Sequence, residues 1–149
     1  SGFVAGDAAL IKPFLLYRTY HGSAMSGLVQ AASLAAWNDE AHVEANRALY
    51  RTKFDQVTPL LSKVLDVRLP DAGFYLWAGI GRQCGGDDVA WAQGLLAQYN
   101  VTVLPGSLLA RTSHGHNPGT GRVRMALVAG VEECLEAAHR IVSYSESLR

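Results

Sequence analysis

From Gly27 to Trp37 the chain is almost wholly small and apolar, with Leu28, Ala31, Ala32, Ala35 and Ala36 giving a helix smooth enough to pack closely on every side. Such a helix is expected to be buried or to sit at a subunit contact. Asn38-Asp-Glu40 then reads as a helix start: Asn38 can accept from the free amides of the next turn, and the two carboxylates favour the positive end of the dipole. Val43, Tyr50, Phe54, Val57, Leu61 and Val64 recur at helical spacings, with Glu44, Arg47, Arg51 and Asp55 off that stripe, which predicts one long helix. Pro59 interrupts it, predicting a kink or break with Thr58 as a new cap.

After Asp66 the period shortens from helical to extended. Val67-Arg-Leu69 and Gly73-Phe-Tyr-Leu-Trp-Ala78 are rich in strand-forming residues around Pro70-Asp71, and Gly79 to Gly86 supplies a flexible connection. Asp87 or Asp88 can cap a helix whose Val89, Ala92, Leu95, Leu96 and Tyr99 form one face, ending at Asn100. Val101-Thr-Val-Leu104 predicts a strand stopped by Pro105-Gly106, and the glycine-rich loop 115–121 leads into the strand Val123-Arg-Met-Ala-Leu-Val128. Val131, Leu135, Ala138 and Val142 mark a final amphipathic helix. Together these predict an α+β fold: a mixed or antiparallel sheet with helices on one face, preceded by a helical arm.

The beginning of the chain is less regular. Phe3-Val-Ala5 between two glycines predicts a short buried strand, which needs neighbours on both sides. Asp7 can cap a helix through Ala8-Ala-Leu-Ile11, with Pro13 limiting it beyond Lys12, and Tyr17 to Ser26 has no clear period and reads as a loop. Without an initiator Met, a basic leader or a transit-peptide character, Ser1 to Asp7 is expected to be the interior of a longer protein, as a fragment or as one piece of a nicked chain.

Composition narrows the class of partner. Lys+Arg 13 balance Asp+Glu 13, so no long-range field selects nucleic acid or an anionic membrane. Hydrophobic residues make up 49% but are broken by charges every few positions, so no run approaches the roughly 20 residues of a spanning helix. Cys84 and Cys134 stand far apart without metal-ligand spacing, which suits a reduced, cytoplasmic compartment. His114-Gly-His116 has no evident third ligand and reads as a polar loop, so no metal site is expected. Asp39, Glu40, Glu132 and Glu133 sit at helix starts, where the dipole explains them. Phe74, Tyr75 and Trp77 read as core or wall. By pattern alone the chain also fits a stand-alone ligand-binding or regulatory module, so function has to come from sites.

Several phrases in order carry a resemblance across essentially the whole chain. Ser1-Gly-Phe-Val-Ala-Gly-Asp7, Pro70-Asp-Ala-Gly-Phe-Tyr-Leu-Trp77, Val101-Thr-Val-Leu-Pro-Gly-Ser107 and Gly121-Arg-Val-Arg-Met-Ala-Leu127 resemble segments of the class I/II pyridoxal-phosphate-dependent aminotransferases, in the C-terminal portion of those proteins. Tyr17 to Ser26, Ala35 to His42 and Asn100 to Ser107 look most like the succinyldiaminopimelate transaminases. The resemblance implies residues 1–37 as a remnant of the large cofactor-binding domain, 38–65 as a long connecting helix and 66–149 as the α/β small domain. It implies that glutamate gives its amino group, through pyridoxal 5'-phosphate, to N-succinyl-2-amino-6-oxopimelate in diaminopimelate and lysine biosynthesis. Another acceptor specificity is the alternative.

The resemblance also assigns residues. The lysine that binds the cofactor covalently should lie just upstream of Ser1; Lys12, Lys53 and Lys63 read as solvated surface lysines, so the chain alone is expected to be inactive, with no catalytic residue of its own. Arg124 matches the arginine that holds the substrate carboxylate, for which a planar guanidinium fork is well suited. Arg122 lies on the same side of the strand by the two-residue period and reads as a surface or ion-pair residue. The loop Tyr20 to Ser26 corresponds to one that reaches the neighbouring subunit in related enzymes. Ser23 and Ser26 are therefore candidates beside a partner's cofactor, and Ser26 is equally a candidate helix cap. A homodimer, the N-terminal remainder of the same protein, and small amino and oxo acids are the implied partners.

Overall fold

The computed structural model describes residues 1–22 and 24–148, and they form two compact units that divide after Ala45. In the first unit, Asp7 accepts from the Ala9 amide at 2.7 Å and starts α1 (Ala8–His21). The helix runs through Pro13 and includes Tyr17 to His21, where a loop was expected. Pro13 removes only one helical hydrogen bond near the N-terminus, and Thr19 adds a bond from its hydroxyl to the Leu15 carbonyl at 2.9 Å. Phe3-Val-Ala5 is not a strand: an extended segment becomes one by pairing, and no described segment pairs with residues 1–7. Phe3 instead sets its ring 5.5 Å from that of Trp37.

Helix α2 (Gly27–Trp37) has the predicted bounds, but no residue of α1 or α2 is buried within the described chain. Leu28 is 86% exposed, so the expected close packing on every side is absent here. Asn38 does not start the next helix. Its amide closes the end of α2 on Leu34 at 3.2 Å, and Asp39 caps α3 (Glu40–Leu61) by accepting from Ala41 at 3.1 Å. Pro59 does not break α3. It lies in the last turn, so the helix ends two residues later, and the Thr58 hydroxyl is buried without a hydrogen-bond partner rather than acting as a cap.

The second unit, from Asn46 onward, holds the sheet. Strand β1 (Tyr75–Gly79) is followed by a 3-10 turn (Gln83–Gly86), α4 (Asp88–Tyr99), β2 (Leu104–Pro105), α5 (Gly106–Leu109), β3 (Arg122–Ala126) and α6 (Val131–Ser147). The sheet is antiparallel, in the order β1-β3-β2. Val67 to Leu69 does not pair; only Asp66 does, bridging to Gly79. Strand β2 is shorter than predicted and contains Pro105, which is tolerated because β2 is an edge with a single neighbour.

Side-chain alternation divides the sheet into two faces. Leu76 and Ala78 of β1 and Val123 and Met125 of β3 enter a core with Phe54, Val57 and Leu61 of α3, Trp91 and Leu95 of α4, and Ala138, Ile141 and Tyr144 of α6. Burying large side chains such as Trp91 and Leu95 contributes roughly 1.5–3 kcal/mol each. Two expectations shift in detail. Leu96 is 48% exposed while Trp91 takes the buried position on α4, and α6 turns Cys134 and Tyr144 inward with Val131, Leu135 and Val142 only half-buried. Asp87, not Asp88, caps α4, accepting from Val89 and Ala90 at 3.0 Å each.

Candidate substrate-binding face

The sheet face opposite the core is open. Trp77, Arg124 and Leu104 stand side by side across β1, β3 and β2, since Trp77 pairs with Arg124 and Arg124 with Leu104. Arg122, two residues along β3, lies opposite Gly79, which has no side chain to cover it. The Arg124 guanidinium lies 4.4 Å from the centre of the Tyr75 ring. Among the described residues no carboxylate lies within 4.0 Å of it and none accepts a hydrogen bond from it, so its planar donors face outward from an aromatic floor. A cation stacked in this way keeps its hydrogen-bonding edge for an anion.

A buried carboxylate frames this face. Asp88 is 2% exposed and accepts from the Ser107 amide at 2.8 Å and the Gly121 amide at 3.3 Å. It therefore ties the start of α4 both to the Pro105-Gly-Ser turn and to the residue preceding β3. Burial alone would push its pKa up, but the amide bonds outweigh it and hold the carboxyl below the ordinary aspartate range. Asn117 completes the latch, donating to the Ser107 carbonyl at 3.0 Å and accepting from Gly119 at 2.9 Å. Gly106 and Gly119 approach so closely that a Cβ on either would meet the backbone of the other, and one on Gly106 would also strike the Trp77 ring.

The other candidates fall elsewhere. Ser26 accepts from the Val29 amide at 3.4 Å and caps α2, in the first unit; Ser23 lies outside the described residues. His116 exchanges backbone hydrogen bonds with Ser113 at 2.9 and 3.0 Å, which makes His114-Gly115 the tip of a tight turn. Lys53 is not solvated: it is 6% exposed, donates to the Leu127 carbonyl at 2.9 Å, and lies 4.7 Å from the Tyr50 ring centre. Sequence reasoning missed it although it falls between Tyr50 and Phe54 on the apolar side of α3. Asp88 was missed as well; of two adjacent aspartates at a helix start only one is needed as the cap, and the other has to find amides elsewhere.

These positions decide whether the described residues fit covalently held pyridoxal phosphate. A lysine that carries the cofactor must present its amine to an open pocket, yet Lys53 is committed to a backbone carbonyl and Lys12 and Lys63 sit on exposed positions. They do not fit it. What the described residues present instead is the Arg124 guanidinium on the open sheet face, stacked on the Tyr75 ring.

In sequence and fold, the proteins that this chain matches are aminotransferases. Over 99% of its length it is 56% identical to an aminotransferase of Neisseria meningitidis Z2491 of known crystal structure, with a TM-score of 0.81 and 36% of that chain covered. It is 35% identical over 143 residues to a protein of Mycobacterium tuberculosis named as a probable aminotransferase, a match over 95% of this chain and 31% of that one. A structure of a probable N-succinyldiaminopimelate aminotransferase from Thermus thermophilus is 32% identical with a TM-score of 0.59, covering 72% of this chain and 27% of that one. The chain thus spans about a third of the length of the relatives it matches. No protein-family model matches it. Among the described residues, no helix is long and apolar enough to cross a membrane.

Proposed function

We propose that this chain is the substrate-carboxylate-holding part of a pyridoxal-phosphate-dependent aminotransferase, with Arg124 as the residue that takes the α-carboxylate of amino donor and oxo-acid acceptor. The observation that carries the reading is the Arg124 guanidinium stacked on Tyr75 on an open face, without an acidic partner among the described residues. The bound cofactor would supply the electron sink and carry the amino group. The residues of this chain bind and orient: Arg124 fixes the acid group, while Asp88 and Asn117 hold the turn beside it. Taken alone, without a lysine set to hold the cofactor, the chain is inactive.

For the reaction itself we propose glutamate as donor and N-succinyl-2-amino-6-oxopimelate as acceptor, which places the enzyme on the route to diaminopimelate and lysine. Support comes from the resemblance of Tyr17 to Ser26 and Asn100 to Ser107, and from the likeness to the Thermus protein of that name. A cytoplasmic homodimer is part of the same proposal, with Ser23 and Ser26 candidates beside the partner's cofactor. A self-contained binding module is less well supported, because Leu10, Leu28, Leu34 and Trp37 all stand more than half exposed, at 71%, 86%, 64% and 61%.

The test is a coupled assay on the full-length protein carrying this chain, loaded with cofactor, that follows 2-oxoglutarate formed from glutamate with succinylated or acetylated 2-amino-6-oxopimelate. The expected result is turnover with at least about tenfold preference for the succinylated acceptor, a difference of about 1.4 kcal/mol. No transamination from glutamate would overturn the reading; preference for the acetylated acceptor would overturn only the choice of substrate.

A further inference from the structure

Trp77 is the large apolar side chain beside Arg124 that no role yet explains. Its neighbours on β1, Leu76 and Ala78, are 0% exposed, whereas Trp77 is 39% exposed and stands opposite Arg124 in the register, with Leu104 on the other side of the arginine. We propose that Trp77 is a specificity-determining residue: its indole is the wall along which the carbon chain of a substrate lies once Arg124 holds the α-carboxylate. This rests on the Arg124 reading and adds to it the residue that reads the rest of the substrate.

The position of the ring is set by the backbone beneath it. A Cβ on Gly106 would come 2.7 Å from Trp77 Cη2 and would also strike the carbonyl oxygens of Gly119 and Arg122. The indole therefore crosses the open face of β3 from β1 and rests its tip at the start of α5, in a seat that only a glycine leaves open. Among the described residues the Trp77 indole N–H has no acceptor, while that of Trp91 donates to Gln83 at 2.8 Å. Packing on this seat, and no hydrogen bond, fixes the ring. The seat is itself tied down, because Asp88 accepts from the amide of the adjacent Ser107 and Asn117 donates to its carbonyl.

A wall held in this way discriminates among substrates. Because the ring is in place before anything binds, a chain that lies on it gains apolar contact without the cost of ordering the protein. A methylene flat against the indole loses about half of its exposed surface, which corresponds to roughly a twofold gain in affinity for each methylene. The gain grows with the length of chain in contact, so Trp77 acts on the difference between substrates, and Arg124 acts on all of them alike through the acid group they share. A ring that served only to pack the turn at Gly106 would change every substrate by one common factor.

The experiment measures, by calorimetry on the full-length protein, the binding of propionate and hexanoate, unbranched acids that differ by three methylenes, and sets beside it kcat/KM for alanine and norleucine as donors. Trp77→Ala is expected to lower both the hexanoate-to-propionate affinity ratio and the norleucine-to-alanine kcat/KM ratio roughly eightfold, at about twofold per methylene. Trp77→Phe, whose ring is too short to reach the Gly106 seat, is expected to lower both by roughly half as much on a logarithmic scale, about threefold. Should Trp77→Ala unfold below the wild-type temperature, the Phe variant decides alone. Ratios that keep their wild-type values while all four ligands weaken together, or do not weaken at all, would overturn the role of Trp77 and leave the Arg124 reading standing. Arg124→Gln is expected to weaken propionate and hexanoate by one factor; if it weakens neither, the Arg124 reading fails and the role of Trp77 falls with it.

Discussion

The Arg124 guanidinium stacks 4.4 Å from the centre of the Tyr75 ring, with no acidic partner among the described residues. Tyr75 lies on β1 and Arg124 on β3, so the antiparallel pairing of these strands sets the geometry. If the ring orients the guanidinium, Tyr75→Phe should keep the full-length enzyme near its wild-type KM for glutamate. Tyr75→Leu should raise that KM roughly two- to thirtyfold, matching a cation–π contribution of about 0.5–2 kcal/mol. Steady-state kinetics of the two variants decide it, and equal KM values would show that the stacking is incidental.

Asp88 should matter more than its distance from the reacting groups implies. Replacing it with Asn leaves the Ser107 and Gly121 amides facing a neutral acceptor, at an expected cost of about 1–3 kcal/mol in unfolding free energy near neutral pH. Because the folded-state pKa is lowered, the carboxylate's contribution is present above the ordinary aspartate value of 3.8 and is lost as pH falls through the lowered one. Urea unfolding of both proteins across this range should show the difference between them shrinking in acid; a constant difference would assign the cost to packing instead.

Tyr144 gives the opposite limb. Burial first, then the neighbouring Cys84 thiol, pushes its phenol up to about 12 from 10.0. A raised folded-state value means that the contribution of the neutral phenol is intact below about pH 10 and fades as pH climbs toward about 12. Wild-type protein should therefore lose stability over that interval, and Tyr144→Phe should flatten the limb in pH-dependent thermal unfolding. An unchanged slope in the variant would mean that other groups set the alkaline limit.

What the sequence disclosed follows the range of the forces involved. β3 and α6 are legible because period-two and period-3.6 patterns are local, and the same alternation puts Arg124 on β3 on the side of Arg122. The Asp88 latch is not, since its partners lie 19 and 33 residues away and either of two adjacent aspartates could have been the cap. Lys53 was hidden for the same reason: the carbonyl it serves is 74 residues distant. Phe3-Val-Ala5 shows the converse, a segment with strand propensity that no described neighbour pairs with. Pro13 and Pro59 each remove a single i→i−4 hydrogen bond from a helix that continues past them.

The most direct measurement is the effect of Arg124→Gln on donors with and without an acid group. In the full-length enzyme, the ratio of kcat/KM for glutamate to that for butylamine should fall roughly ten- to hundredfold, the equivalent of about 1.5–3 kcal/mol for a charge-assisted carboxylate contact. A ratio that stays at its wild-type value would show that Arg124 does not hold the substrate's carboxylate.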